Sequence, residues 1–174
     1  MRGDAQAGWS IELRETQSVW VASRREKIRS YEEADGLFAE IERRIGQEFL
    51  MGKRAALWHT CANDGPQIDC EAVRFLKRPV SLAHGVRAYQ MPAARIVSLF
   101  HTGADQTIPQ AYQALNAWMR RNSLVTRGPK CEIYWVEPPK GKDGESLTEI
   151  RLPIPSLGKH NYRRTALREA PACG

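Results

Sequence analysis

Two stretches of this chain carry apolar residues at helical spacing, and that duplication restricts the fold more than any other feature. In the second stretch Ile108, Ala111, Tyr112, Leu115, Trp118 and Met119 fall on one stripe, which predicts a helix over 108–121. Thr107 stands at its N-cap with Gln110 three residues on, Pro109 fits the first turn, and Asn122 closes the end. In the first stretch Ala34, Leu37, Phe38, Ile41 and Ile45 make a matching stripe. Ser30-Tyr31-Glu32-Glu33 reads as a capping box, so a helix is expected over 31–46. Sliding Leu37-Phe38-Ala39-Glu40-Ile41 onto Ala111-Tyr112-Gln113-Ala114-Leu115 sets aromatic on aromatic and aliphatic on aliphatic.

Strand-like segments surround the two helices in one repeated order. Residues 18–25 and 94–101 precede them, while 54–61 with 71–76 and 131–137 with 147–154 follow. Asn63-Asp64-Gly65-Pro66 and the segment from Pro138 to Gly144 divide the later pairs into hairpins. The expected fold is α+β: tandem strand-helix-strand-strand units with pseudo-two-fold symmetry, antiparallel sheet, helices on one side, and a ligand cleft between the halves. One domain over 1–155 is expected, with repeats at about 10–80 and 86–155, followed by a basic tail over 156–174.

Composition narrows the function classes. An apolar fraction of 42% and a charged fraction of 26% fit an ordinary globular core. No apolar run reaches the roughly 18 residues of a membrane span, and Met1 to Ala7 lacks a secretory layout, so a cytoplasmic protein is expected without membrane partners. The net charge of +6 is dispersed among glutamates, as in Glu40-Ile41-Glu42-Arg43-Arg44, and forms no DNA-binding stripe. Cys61, Cys70, Cys131 and Cys173 show no metal or redox spacing with the histidines, so reduced thiols, no metal and no cofactor are expected. No Ser-His-Asp arrangement, phosphate-cradling glycine loop or HExxH motif is recognisable.

The stretch from Ala94 to Ile154 resembles the gyrase-inhibitor-like, or AraC-type, effector-binding domain, which also forms the drug-binding half of MerR-type multidrug regulators. The resemblance lies in the succession of Ala94 to Gly103, the helix with Ala111-Tyr112-Gln113-Ala114-Leu115-Asn116-Ala117-Trp118, then Gly128-Pro129-Lys130-Cys131-Glu132-Ile133-Tyr134 with Glu137-Pro138, and Leu147 to Ile154. It implies a pocket for lipophilic, often cationic, compounds between two pseudo-symmetric units, with a buried glutamate at Glu132. The family's regulators carry a helix-turn-helix ahead of this domain, whereas only about ten residues precede the first repeat here. No direct DNA binding is therefore expected from this chain. Three readings stay open: a small-molecule-binding protein, a metal-independent hydrolase of cyclopropane-type electrophiles, and a modulator of a protein partner such as gyrase.

The residues themselves single out Cys131-Glu132-Ile133-Tyr134-Trp135-Val136, an apolar strand interrupted by one carboxylate. Alternation puts Glu132, Tyr134 and Val136 on one side, where a carboxylate beside aromatic surface attracts a poorly screened cation. Trp58 falls at the position matching Tyr134, and Ala56 at that matching Glu132. The candidate ligand contacts are Glu132, Tyr134, Trp58 and Trp20; in an enzyme Glu132 would be the base and Tyr134 a hydrogen-bond donor. Phe38, Tyr112 and Trp118 read as packing residues, and His59 and His101 as structural or surface groups.

Overall fold

In a computed structural model the described residues are 9–59, 66–82, 85–137 and 145–156. Turn residues 63–65 and 138–144 and the tail 157–174 lie outside them, as do Cys61 and Cys173. The chain forms β1 (Ile11–Glu15), β2 (Val19–Ile28), α1 (Ala34–Arg44), β3 (Leu50–Trp58) and β4 (Ile68–Leu76), then β5 (Arg87–Met91), β6 (Arg95–Gly103), α2 (Ile108–Arg121), β7 (Lys130–Val136) and β8 (Ser146–Ile154). All eight strands join one antiparallel sheet in the order β1-β6-β8-β7-β3-β4-β2-β5.

The strand order reads alike from either end, because each half contributes the same three inner strands. The halves meet where β3 pairs with β7, and Ala56 opposes Glu132 at the centre of that ladder. Arg54 opposite Tyr134 and Trp58 opposite Lys130 follow symmetrically on either side. The helices obey the same relation: the Arg54 guanidinium lies 5.3 Å from the Phe38 ring centroid, and the Lys130 amine 5.6 Å from that of Tyr112. Thus the alignment of Phe38 with Tyr112 recurs in their contacts.

Each half also has a leading strand that its hydrophobic pattern does not announce, and the two leading strands are exchanged. β1 opens the first half yet pairs with β6, while β5 opens the second and pairs with β2. Two buried carboxylates, one strand further in, reach the exchanged strands on the face away from the helices. Glu71 accepts from Arg87 at 3.2 Å and Tyr89 Oη at 3.0 Å, both on β5, and its second oxygen is 2.9 Å from His59 Nε2. Glu149 accepts from Arg14 on β1, from both ends of the Arg151 fork, and from Trp135 Nε1 at 3.1 Å.

Both helices pack on the same sheet face. α1 covers Ala22, Cys70, Ala72 and Leu76, while α2 lies over Val97, Leu99, Ile150 and Leu152 with Ile11 of β1. A third cluster, Val21, Ala55, Leu57, Val73, Cys131 and Ile133, lies on the opposite face. α2 spans the predicted residues, and Asn122 closes it with its side-chain N–H on the Trp118 carbonyl at 2.8 Å. The expected caps differ. Thr107 makes no side-chain cap, because its hydroxyl donates to the Ala104 carbonyl at 2.7 Å. α1 begins at Ala34 after a 3-10 turn over Tyr31–Glu33, and Glu33 accepts from the Arg29 N–H instead of completing a box with Ser30. Gly103 ends β6 at φ +128, a conformation that releases the chain toward α2 and that side chains resist.

Candidate functional site

Glu132 lies where the sheet's two halves join, beneath the gap between the helices. Its neighbours across β3 and along β7 are Ala56, Trp58 and Tyr134, all on the helix-bearing face. Only 7% of Glu132 is exposed. The Tyr112 hydroxyl of α2 donates to one carboxylate oxygen at 2.7 Å, and that of Tyr134 to the other at 3.1 Å. Burial raises the Glu132 pKa, opposed by these phenols and by the Trp58 indole. The indole N–H itself is buried without a hydrogen bond of regular geometry. No Lys, Arg or His among the described residues forms an ion pair with this carboxylate, an uncommon state for a buried charge.

Aromatic rings crowd around it. Tyr31, 66% exposed, packs edge-on against Trp58 with centroids 5.1 Å apart, and Phe38 packs edge-on against Tyr134 at 6.3 Å. A surface hollow of about 490 Å³ opens beside Arg25, Lys27, Asp69 and Arg87, and Glu132 does not line it. Cys70, paired with Trp58 across β3 and β4, lies within electrostatic reach of Glu132, and burial pushes its thiol up to about 12.

Of the residues singled out in the sequence, Glu132, Tyr134 and Trp58 come together. Trp20 does not join them: it sits on β2, with β4 and β3 between it and β7, and packs into the α1 core. Tyr112, read as packing, supplies the shorter of the two phenol bonds; its place on the helical stripe gave no sign of what its hydroxyl would meet. Tyr31 stands out in the sequence only as part of a cap. His59 is taken up by Glu71, and His101 by Thr107, 2.6 Å from Nε2. Burial lowers the His101 pKa, consistent with a neutral ring donating to a hydroxyl already committed to Ala104. Cys70 and Cys131 are free thiols. Among the described residues no cluster of His, Cys, Asp or Glu is arranged for a metal, and no helix is long and apolar enough to cross a membrane.

Comparison with known proteins agrees with this geometry at the level of fold. The C-terminal domain of EcmrR superimposes with a TM-score of 0.74 at 19% identity, over 86% of this chain and 99% of that domain. Against EcmrR in its DNA complex the TM-score is 0.73 at 18% identity over 86% of this chain, which spans 58% of that protein. SAV2435 bound to tetraphenylphosphonium matches with a TM-score of 0.55 at 14% identity, over 88% and 98% of the two chains. A hydrolase from Listeria innocua gives 0.55 at 14% identity, over 83% and 91%. No curated protein sequence matches the chain. The model of the GyrI-like small-molecule-binding domain matches residues 25–155, a span holding both helices, the central β3–β7 ladder and Glu132, and the chain belongs to that family.

Proposed function

We propose that this domain binds lipophilic cations, with the Glu132 carboxylate as counter-charge and Trp58, Tyr112 and Tyr134 as the aromatic walls. The observation that carries this reading is a buried carboxylate held by neutral donors and in ion-pair contact with no Lys, Arg or His among the described residues. Such a group is costly in the empty protein, and a desolvated cation is the partner that lowers the cost most. Aromatic faces add cation–π attraction and apolar contact area. Since the exposed Tyr31 packs edge-on against the Trp58 wall, the ligand enters by displacing Tyr31. The tetraphenylphosphonium carried by SAV2435, which has the same fold, supports the ligand class.

Titration with tetraphenylphosphonium and with neutral triphenylphosphine oxide tests the proposal. Replacing Glu132 by Gln is expected to weaken the cation by about 10–100-fold, the scale of one desolvated charge interaction, and to leave the neutral compound unchanged. Equal cation affinity of both proteins would refute the counter-charge.

A second reading has its own support in the pKa of Glu132, which burial raises as in a general base, and in the two phenols beside it. In that reading Glu132 activates water for attack on a cyclopropane-type electrophile, the substrate class implied by the family resemblance, and Tyr134 donates a hydrogen bond. Turnover of such a compound that vanishes in Glu132→Gln, with ligand binding retained, would establish catalysis; binding without turnover leaves the first reading.

A further inference from the structure

The two cations that bracket the central carboxylate are related by the pseudo-symmetry and differ in one respect. Arg54 is bound by both oxygens of Glu42, at 3.0 and 3.1 Å, and lies 4.0 Å from Asp35. Its mate Lys130 makes no ion pair among the described residues, and its amine rests over the face of Tyr112. Lys130 precedes Glu132 by two residues on β7, so both side chains project from the helix-bearing face, and it stands directly across from Trp58. The Tyr112 ring thus has Glu132 at its hydroxyl and Lys130 on its π face.

We propose that Lys130 is a specificity-determining residue that directs the site toward amphoteric ligands, aromatic cations that also carry a carboxylate or comparable anionic group. This rests on the reading of Glu132 as counter-charge and adds a second recognition point to it. A ligand seated on Glu132 against Trp58 extends along the strand pair toward Lys130, which stands opposite Trp58. There a second positive charge is repelled, a neutral edge leaves the amine unpaired, and an anionic group is attracted in a half-buried setting where screening is weak. The ring of Tyr112 supplies the spacing between the two charges. At the other end the Arg54 guanidinium is already engaged by Glu42, which it shares with Arg74, and faces Asp35, so it is not an equivalent unpaired cation and the site has a direction: cation at the centre, anion toward the side of α2.

The matched probes are tetramethylrhodamine, which carries a free carboxylate, and its methyl ester, which is the same cation without the anionic group. Fluorescence anisotropy on the full chain is expected to show the acid binding wild type about 5–20-fold more tightly than the ester, the magnitude of one partly buried charge pair. Lys130→Gln removes that preference by weakening the acid alone, and Lys130→Arg keeps it. A wild-type preference for the ester, an acid-to-ester ratio unchanged in Lys130→Gln, or absence of binding by both dyes overturns the proposal. Glu132→Gln separates it from the counter-charge reading: ester binding that survives this substitution refutes Glu132 as counter-charge, while a dependence of the acid on Lys130 would stand by itself. Thermal melts confirm that the Lys130 variants, altered at a half-buried strand position, retain the fold.

Discussion

The Glu132 carboxyl is buried among neutral donors, and its electrostatics have consequences for stability as well as binding. Because burial raises its folded pKa above the ordinary carboxylate value of 4.5, the folded state binds this proton more tightly than the unfolded chain does. The stability associated with this group is therefore fully present below pH 4.5 and is lost as pH rises through the folded value. Glu132→Gln keeps an acceptor for the phenols and removes the charge. It is expected to be more stable than wild type at pH 7, and to converge with it near pH 4, in urea denaturation. Tyr112→Phe acts in the opposite sense. It strips the 2.7 Å donor from a buried carboxylate and is expected to cost about 1–3 kcal/mol at pH 7, with the wild-type difference shrinking as the carboxylate protonates in acid. The sequence made Glu132 and Tyr134 legible because a lone carboxylate in an apolar strand lies either on a solvated face or enclosed for a purpose, and alternation with Tyr134 and Val136 argues against the solvated face. Tyr112 was not legible, since its ring satisfies a helical stripe completely and only the docking of α2 over β7 reveals where the hydroxyl points.

At the scale of elements, the same limit separates what the sequence disclosed from what it concealed. α2 and the six inner strands carry their periodicity openly, because each buries a whole face. The leading strands β1 and β5 are five residues each and mostly half-buried or exposed, so Ile11-Glu12-Leu13-Arg14-Glu15 and Arg87-Ala88-Tyr89-Gln90-Met91 do not stand out from loop. Their pairing with the distant half is a tertiary choice, fixed in part by the buried carboxylates. Burial alone would raise the Glu71 pKa, but hydrogen bonds from His59, Ser23 and Tyr89 and the charge of Arg87 outweigh it and bring the value to about 2. This depressed pKa contributes stability that is present above pH 4.5 and lost as pH falls toward 2. Glu71→Gln is expected to cost on the order of 2–4 kcal/mol at pH 7, and the gap should narrow on acidification through that window in pH-resolved denaturation. A gap independent of pH would show that packing, not charge, holds β5 in place.

For the whole molecule, the exchange of leading strands makes each half depend on residues from the other. Ile11 is 1% exposed and packs with Leu99, Leu115 and Ile150 under α2, although it belongs by sequence to the half built around α1. Arg14 likewise pairs with Glu149 of β8. Removing residues 1–17 should consequently spare the half that follows immediately in sequence and loosen the remote one. β6 would lose its outer partner, Val97 and Leu99 would face water at their margin, and Glu149 would lose one of its two arginines. Backbone amide exchange is the appropriate readout, because it reports opening strand by strand. Protection is expected to fall in β6 and β8 around Ser98 and Ile150, while β2 and β4 around Ala22 and Ala72 keep theirs. Loss confined to β2 and β4, or spread evenly over the sheet, would show that the halves do not respond as separable units. Because Glu132 and Tyr112 both belong to the remote half, the truncated protein should also bind tetraphenylphosphonium less tightly than the full chain. A ligand that ties α2 to β7 should restore part of the lost protection, since whatever binds the folded arrangement in preference to the opened one stabilises it in proportion to its occupancy.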